Sequence, residues 1–183
     1  MKRLAKAAVM LRLREELSNR GSWCGETHLQ KATFFLQEAT AVPLGFNFIL
    51  YKYGPFSFDL RDELGALRAE GILELRSNGA TLGPKYDATE LAKKVSAAYP
   101  RTVKTYAPQV EAVAEFIGDQ GVGALERLAT ALMLINEQDG TDEDVAQRLV
   151  AIKPHVSFDD AYDATQRVRH FLGSIEVSPA RTS

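Results

Sequence analysis

Histidines and paired carboxylates are the residues of this sequence that suit acid–base or metal chemistry. His28, His155 and His170 are scattered along the chain and form no HExxH or CxxC spacing, which a zinc site at short spacing needs. The acidic runs at residues 142–144 and 159–160 are candidates for a general acid and base. Each run follows a Thr or Ser at a predicted helix start, however, where negative charge is favourable.

The phosphate-binding and nucleophile motifs are also missing from the sequence. It has no GxxxxGK[ST] loop, no GxGxxG after a strand and no GxSxG turn, which are the short patterns that position phosphates or a reactive serine. We therefore predict that the protein is not an enzyme, with no catalytic residue, no metal site and no cofactor.

Basic residues are the other group whose type suggests chemistry, because Lys and Arg bind phosphates. Residues 1–104 carry 16 Lys and Arg against 11 Asp and Glu, whereas residues 105–183 carry 6 against 13. A basic half suits nucleic acid, and an acidic half suits a basic partner or simply a solvated surface. The candidate nucleic-acid-binding residues are Lys2, Arg3, Lys6, Lys52, Arg61, Arg68, Arg76 and Lys85.

The elements that must position these residues begin with helices and strands in the first hundred residues. Apolar periodicity predicts helices over residues 4–20, from Thr27 onwards with a Thr27–Gln30 capping box, and over 59–70. Strands are predicted over 46–53, 72–75 and 81–86, with a turn at Gly54-Pro55 and a hairpin at 77–79. This order of elements is typical of a winged-helix module.

The rest of the chain is predicted to be helical. One helix should begin at residues 87–90 and end at Pro100, followed by helices over 108–117, 122–138, 142–152 and 158–172, with Thr141 and Ser157 as N-caps. The predicted fold class is mainly α with a small β-sheet (α+β). Its parts are a winged-helix-like module over 1–100, a helical subdomain over 101–174 packed on it, and a flexible tail over 175–183.

Two composition features indicate where the protein works. No apolar run approaches the roughly 20 residues that a membrane span needs, and the charged start does not resemble a signal peptide. The single cysteine, Cys24, cannot form an internal disulfide. These features predict a cytoplasmic protein with no membrane partner.

A motif links the second predicted helix to the segment around Gly54. Its residues are His28-Leu29-Gln30-Lys31 with Phe34-Phe35-Leu36, then Tyr51-Lys52-Tyr53-Gly54-Pro55-Phe56-Ser57. We interpret Leu29 and Phe35 as core residues, and Gln30 and Lys31 as hydrogen-bonding the strand or the turn. The pattern of LQK followed by YGP resembles the YwgA-like family of bacterial and phage-associated proteins. It is more weakly similar to the SocA-like or Panacea antitoxin domains.

The resemblance covers most of the chain, because residues 125–132 and 152–157 are also similar to the YwgA-like family. The motif residues that it singles out are Leu29, Gln30, Lys31, Tyr53, Gly54 and Pro55. It implies a winged-helix-like scaffold in a mobile-element or antiphage-defence setting, and a role as a DNA-binding regulator, an antitoxin or an accessory subunit.

Two hypotheses therefore stay open. A DNA-binding regulator would contact phosphates through the first helix and the wing, which is the predicted hairpin around 77–79. The predicted recognition helix over 59–70, however, has four acidic residues against two arginines. A protein-interaction module would bind a toxin or a defence-system effector instead, which the acidic third helix and acidic second half favour.

Overall fold

The structure is a computed structural model that describes residues 1–77 and 83–176, the side chain of Glu176 excepted. The part of the chain that it describes is mainly helical, with two small antiparallel sheets, and the predicted α+β class is confirmed. The elements are α1 (Arg3–Asn19), α2 (Glu26–Glu38), β1 (Ile49–Tyr51), β2 (Gly54–Phe56), α3 (Phe58–Ala69), β3 (Leu73–Arg76), β4 (Lys85–Ala88), α4 (Glu90–Ala98), α5 (Pro100–Ile117), α6 (Val122–Glu137), α7 (Asp142–Ile152) and α8 (Phe158–Glu176).

The β3–β4 pair gains a short third partner from the connection between α1 and α2. Leu73 lies opposite Ala88, and Arg76 lies opposite Lys85. Gly25 forms an isolated bridge with Lys85, and the Tyr86 N–H donates to the Cys24 carbonyl over 3.0 Å. Residues 24–25 therefore lie beside β4, a pairing that the sequence analysis did not predict.

The strand predicted over residues 46–53 is shorter and lies in a separate sheet. Only Ile49–Tyr51 forms a strand, and it pairs with β2, so that Tyr51 lies opposite Gly54. The prediction that Gly54-Pro55 forms the turn was wrong, because both are strand residues and the turn lies at 52–53. Phe46 is outside the strand because its backbone hydrogen-bonds the Gln37 side chain instead of another strand.

Side-chain caps mark the starts of α3, α4, α7 and α8. The Ser57 hydroxyl accepts from the Leu60 N–H at the start of α3, and Thr141 forms a capping box with Asp144 at the start of α7. Ser157 accepts from the Asp160 N–H over 3.1 Å. The prediction of a Thr27–Gln30 capping box was wrong. Helix α2 begins after Gly25 without a side-chain cap, since the Gln30 side chain hydrogen-bonds Ser57 instead.

The helix predicted over 108–117 begins eight residues earlier, at Pro100. Proline suits the first turn of a helix because its missing N–H would have no helical acceptor there. Pro108 lies inside α5 and removes one helical hydrogen bond. Burial of Val110, Val113 and Ile117 on one face of α5 offsets this loss.

A single apolar cluster joins both halves of the chain, and α2 runs through it. Every residue of α2 from His28 to Leu36 is buried. Phe35 contacts the rings of Phe116 and Phe171, which stack on each other with centroids 4.4 Å apart. The side chains of α2 are thus packed against the core on all sides of the helix. This packing fixes where its polar side chains point.

Some predicted features fall outside the described residues or differ at their ends. Residues 78–79 of the predicted hairpin, residues 81–82 of the predicted returning strand and residues 177–183 of the predicted tail are not among those described. Helix α8 continues to Glu176, past the predicted start of the tail. No helix within the described ranges has both the length and the apolar character to cross a bilayer.

Candidate functional site

Two glutamines of α2 hold the two ends of the segment over residues 46–57, which we call the hairpin segment. Gln30 Nε2 donates to the Ser57 carbonyl and Gln30 Oε1 accepts from the Ser57 N–H, each over 2.9 Å. Gln37 makes the same pair of bonds with Phe46, each over 2.8 Å. Because residues seven apart share one face of a helix, α2 presents both amides to the hairpin segment.

Lys31 adds a third attachment, in the middle of β2. Its side chain is only 2% exposed, and its Nζ donates to the Pro55 carbonyl over 2.8 Å. Pro55 lies opposite Leu50, and it has no N–H to exchange with that residue. Leu50 and Pro55 therefore form a non-hydrogen-bonded pair of the antiparallel ladder. The Pro55 carbonyl consequently points away from β1, where Lys31 can reach it.

Gly54 lets β2 lie directly against α6. Its φ is +84°, a conformation that costs other residues free energy. A Cβ at this position would lie 2.7 Å from Thr130 Oγ1 and 3.4 Å from the Glu126 carbonyl. The approach of the two backbones thus needs glycine here.

A second buried lysine lies close to Glu126 of α6. Lys153 is 4% exposed, and its Nζ lies 3.7 Å from Glu126 Oε2 without a hydrogen-bond partner among the described residues. Burial lowers the pKa of Lys31 to about 8, although the Glu126 charge acts to raise it. Two buried amines therefore share one carboxylate beneath the hairpin segment.

This arrangement predicts that the protein becomes more stable as the pH rises above about 8. At pH 7 Lys31 is charged in both the folded and the unfolded chain, so the folded state bears the full cost of a buried charge. Between its folded pKa of about 8 and its ordinary value of 10.5, the folded state binds fewer protons than the unfolded state. The free energy of unfolding then rises with pH, by about 3 kcal/mol over the whole interval.

Urea unfolding at about pH 7.5 and about pH 9.5 measures this effect. The Lys31→Met variant is the control, because it keeps the side-chain length and removes the titrating group. We expect the wild type to gain stability relative to Lys31→Met between the two pH values. An equal change in both proteins would contradict the assignment.

Exposed apolar side chains are concentrated on and beside the hairpin. Of the eleven large apolar residues exposed in the described ranges, five fall within residues 49–58. We call these five the hairpin patch: Ile49, Leu50, Tyr51, Tyr53 and Phe58. Tyr51 and Tyr53 are each 54% exposed. A concentration of exposed large apolar side chains of this kind is typical of a binding site.

The aromatic rings of the patch are ordered by contacts with one another. Tyr51, Phe56 and Phe58 form mutual ring contacts, with centroids 5.1 to 5.7 Å apart. Arg61 lies over the Phe58 ring and Lys52 over the Tyr53 ring. Such packing reduces the side-chain entropy that a partner would have to remove.

The charges around the patch nearly cancel. Arg61 pairs with Asp62 over 3.0 Å, and the Asp59 carboxylate accepts from the Asn47 side chain over 2.9 Å. Lys52 makes no ion pair with a described residue. The patch is therefore apolar and close to neutral, which suits a protein surface better than a phosphate backbone.

Four of the eight predicted nucleic-acid-binding residues have their charge balanced by carboxylates. Arg3 contacts Glu63 and Glu70 over 3.0 and 2.7 Å, and these contacts raise the pKa of its guanidinium. Arg61 pairs with Asp62 as described. The other two, Arg76 and Lys85, both contact Asp87.

Asp87 is the buried carboxylate that gathers basic residues near β4. Arg14 lies 2.5 Å from it, Arg76 3.2 Å and Lys85 3.4 Å. The remaining predicted residues, Lys2, Lys6, Lys52 and Arg68, form no ion pair with the described part of the chain, and Lys6 lies over the Phe46 ring. Part of the basic charge of the first half is therefore neutralised by carboxylates of the same chain.

The histidines and acidic runs do not meet in the described structure. No group of three His, Cys, Asp or Glu side chains within the described ranges could hold a metal ion. Burial lowers the pKa of His28, a core residue of α2. The Thr141 backbone hydrogen bond lowers the pKa of Asp144, which acts as a helix cap.

Sequence reasoning identified Gln30, Lys31, Gly54 and Pro55, which the structure brings together. It missed Gln37, although the i+7 spacing from Gln30 was visible in the sequence. Glu126, Thr130 and Lys153 were also missed, and no local pattern indicates them. Tyr53 lies in the exposed turn, and Leu29 is buried in the core.

The fold and the site together define an α+β protein in which a central helix holds an exposed aromatic hairpin. No model of a known protein family matches this chain, and no curated protein matches it.

Proposed function

We propose that the chain is a non-catalytic protein-interaction module, an antitoxin or accessory subunit, and that the hairpin patch is its docking surface. The observation that carries this proposal is the concentration of five exposed large apolar side chains within ten residues. The partner is a protein with an apolar, weakly charged surface, because the charges beside the patch are almost balanced.

The attachment of the hairpin segment supports the same proposal. Buried hydrogen bonds from Gln30 and Lys31, and a partly buried pair from Gln37, hold the segment in one position. A surface that is held in place before binding loses less entropy on association. Tyrosine is among the residue types that contribute most to protein–protein binding.

The experiment identifies the partner and then measures its affinity. A photo-crosslinking residue at position 53 captures the partner in the native host, and the same residue at Leu91, an exposed position of α4, is the control. The captured protein is then purified and titrated by calorimetry with the wild type and with the Tyr51→Ser, Tyr53→Ser double variant.

We expect the double variant to bind the purified partner about tenfold or more weakly, since exposed tyrosines at a docking surface are typical binding hot spots. Its thermal midpoint should stay close to that of the wild type. Equal affinity of the two proteins, or the same captures at positions 53 and 91, would refute the proposal.

A DNA-binding regulator is the second candidate, favoured by one observation. Apart from β1 and β2, which are inserted between α2 and α3, the order α1, residues 24–25, α2, α3, β3, β4 is similar to that of a winged helix. Against it, α3 carries Asp59, Asp62 and Glu63. Salt-sensitive binding to labelled duplex DNA, weakened by Lys2→Ala and Arg68→Ala and unchanged in the double tyrosine variant, would support this candidate instead.

A further inference from the structure

The outer edge of β1 has no partner among the described residues. β1 pairs with β2 on one side only, and all three of its residues are exposed. Because Leu50 and Pro55 form a non-hydrogen-bonded pair, the Leu50 N–H and carbonyl both point away from β2. The edge thus offers one donor and one acceptor, at the same residue, to another strand.

We infer that a second copy of this chain pairs with this edge. The two β1 strands run antiparallel about a twofold axis at Leu50, and the strand order becomes β2, β1, β1 of the second copy, β2 of the second copy. Each Leu50 donates to and accepts from the other Leu50. This inference goes beyond the proposed function, because it concerns the backbone edge and needs no heterologous partner.

The side chains along β1 are self-complementary in this register. With Leu50 opposite Leu50, Ile49 of each copy lies opposite Tyr51 of the other. Pairs of aromatic and β-branched side chains across neighbouring strands are favourable, by about 0.2 to 1 kcal/mol each. A twofold arrangement forms this pair twice.

Charge also permits the pairing of two identical edges. Within residues 47–57 the only charged side chain is Lys52. In the twofold register the two Lys52 residues are four positions apart along the strands, which is about 14 Å. This exceeds the screening length of about 8 Å at physiological salt. The two copies therefore meet without strong repulsion.

Pairing of this kind would change the hairpin patch. Ile49 and Tyr51 lie on one face of β1, and Phe56, opposite Ile49, lies on the same face. A four-stranded sheet would join these faces of two copies into one apolar surface, so that each copy contributes half of the docking site. It would also cover an apolar edge that is otherwise a site for aggregation.

The first test is cysteine cross-linking of the full chain. Leu91, with an exposed fraction of 41%, is the matched control for Leu50, which is 39% exposed, and the natural Cys24 is buried. Opposed hydrogen-bonded residues have Cα atoms about 5.5 Å apart, which suits a disulfide. Under mild oxidation we expect Leu50→Cys to form a disulfide-linked dimer and Leu91→Cys to remain a single chain.

Sedimentation of the unmodified protein gives the second test. The wild type should sediment as one chain when dilute and approach the mass of two chains as its concentration rises. Leu50→Pro removes the outward N–H without removing a bond to β2, so it should stay folded and sediment as one chain. A wild type that remains one chain at every concentration, with equal cross-linking at positions 50 and 91, overturns the inference.

These results are independent of the proposed function. Failure to find a heterologous partner leaves the cross-linking comparison unchanged. Conversely, a wild type that stays monomeric but binds a partner through Tyr51 and Tyr53 overturns the pairing of two copies and leaves the docking surface intact.

Discussion

Replacing Gln30 with alanine is expected to lower the free energy of unfolding by about 3 to 5 kcal/mol. The Gln30 amide is fully buried and satisfies both the N–H and the carbonyl of Ser57, which is also fully buried. Alanine leaves the Ser57 N–H without a partner and opens a cavity in the core, while the Ser57 carbonyl keeps its bond from the Arg61 N–H. The hairpin segment loses its buried attachment at the same time.

Gln37→Ala is the matched control for this prediction. Gln37 makes the same pair of bonds, with Phe46, but its bonds are only partly buried. Water can replace them, so we expect a loss of about 1 kcal/mol. Urea denaturation of both variants measures the difference. A loss from Gln30→Ala no larger than that from Gln37→Ala would mean that the buried attachment does not stabilise the fold.

The Gly54→Ala variant is expected to lose about 2 to 5 kcal/mol, as the sum of two costs. A non-glycine residue at φ +84° costs about 1 to 2 kcal/mol. The new Cβ would also lie 2.7 Å from Thr130 Oγ1, and overpacking of this kind costs about 1 to 3 kcal/mol. Thermal and urea unfolding measure the total.

Gly21→Ala separates the two costs. Gly21 has a φ of +87°, close to that of Gly54, but no atom lies within 4 Å of the position that a Cβ would take there. It should therefore show the backbone cost alone. In a Thr130→Ala background, Gly54→Ala should lose less than it does in the wild type. Equal losses for Gly21→Ala and Gly54→Ala would contradict the close packing of β2 on α6.

Much of the helical architecture could be predicted because apolar periodicity and caps are local signals. Thr141 and the acidic run after it placed the start of α7 at Asp142, where the structure has it. The interpretation that Gln30 and Lys31 hydrogen-bond the segment around Gly54 was confirmed, and the partners are Ser57 and Pro55.

The strands were predicted less well, since their pairing depends on distant residues. The alternation over residues 46–53 suggested one long strand, but Gln37 binds the backbone at Phe46. Gly54 and Pro55 resemble a turn by composition, whereas their place in β2 depends on α6 and on Lys31. Only the folded chain shows these contacts.

The buried charges beneath the hairpin segment could not be predicted for the same reason. Lys31, Glu126 and Lys153 come from α2, α6 and the residue after α7, and they meet only when these elements pack together. Sequence analysis treats an isolated lysine as exposed, because lysine is rarely buried. The exposure of Tyr51 and Tyr53 likewise depends on how the hairpin lies on α6.

Calorimetric titration of the purified partner decides whether the hairpin patch is the docking surface. We expect the wild type to bind the protein captured at position 53, and the Tyr51→Ser, Tyr53→Ser variant to bind it about tenfold or more weakly while remaining folded. Equal binding by the two proteins would contradict the claim that the hairpin patch is the docking surface.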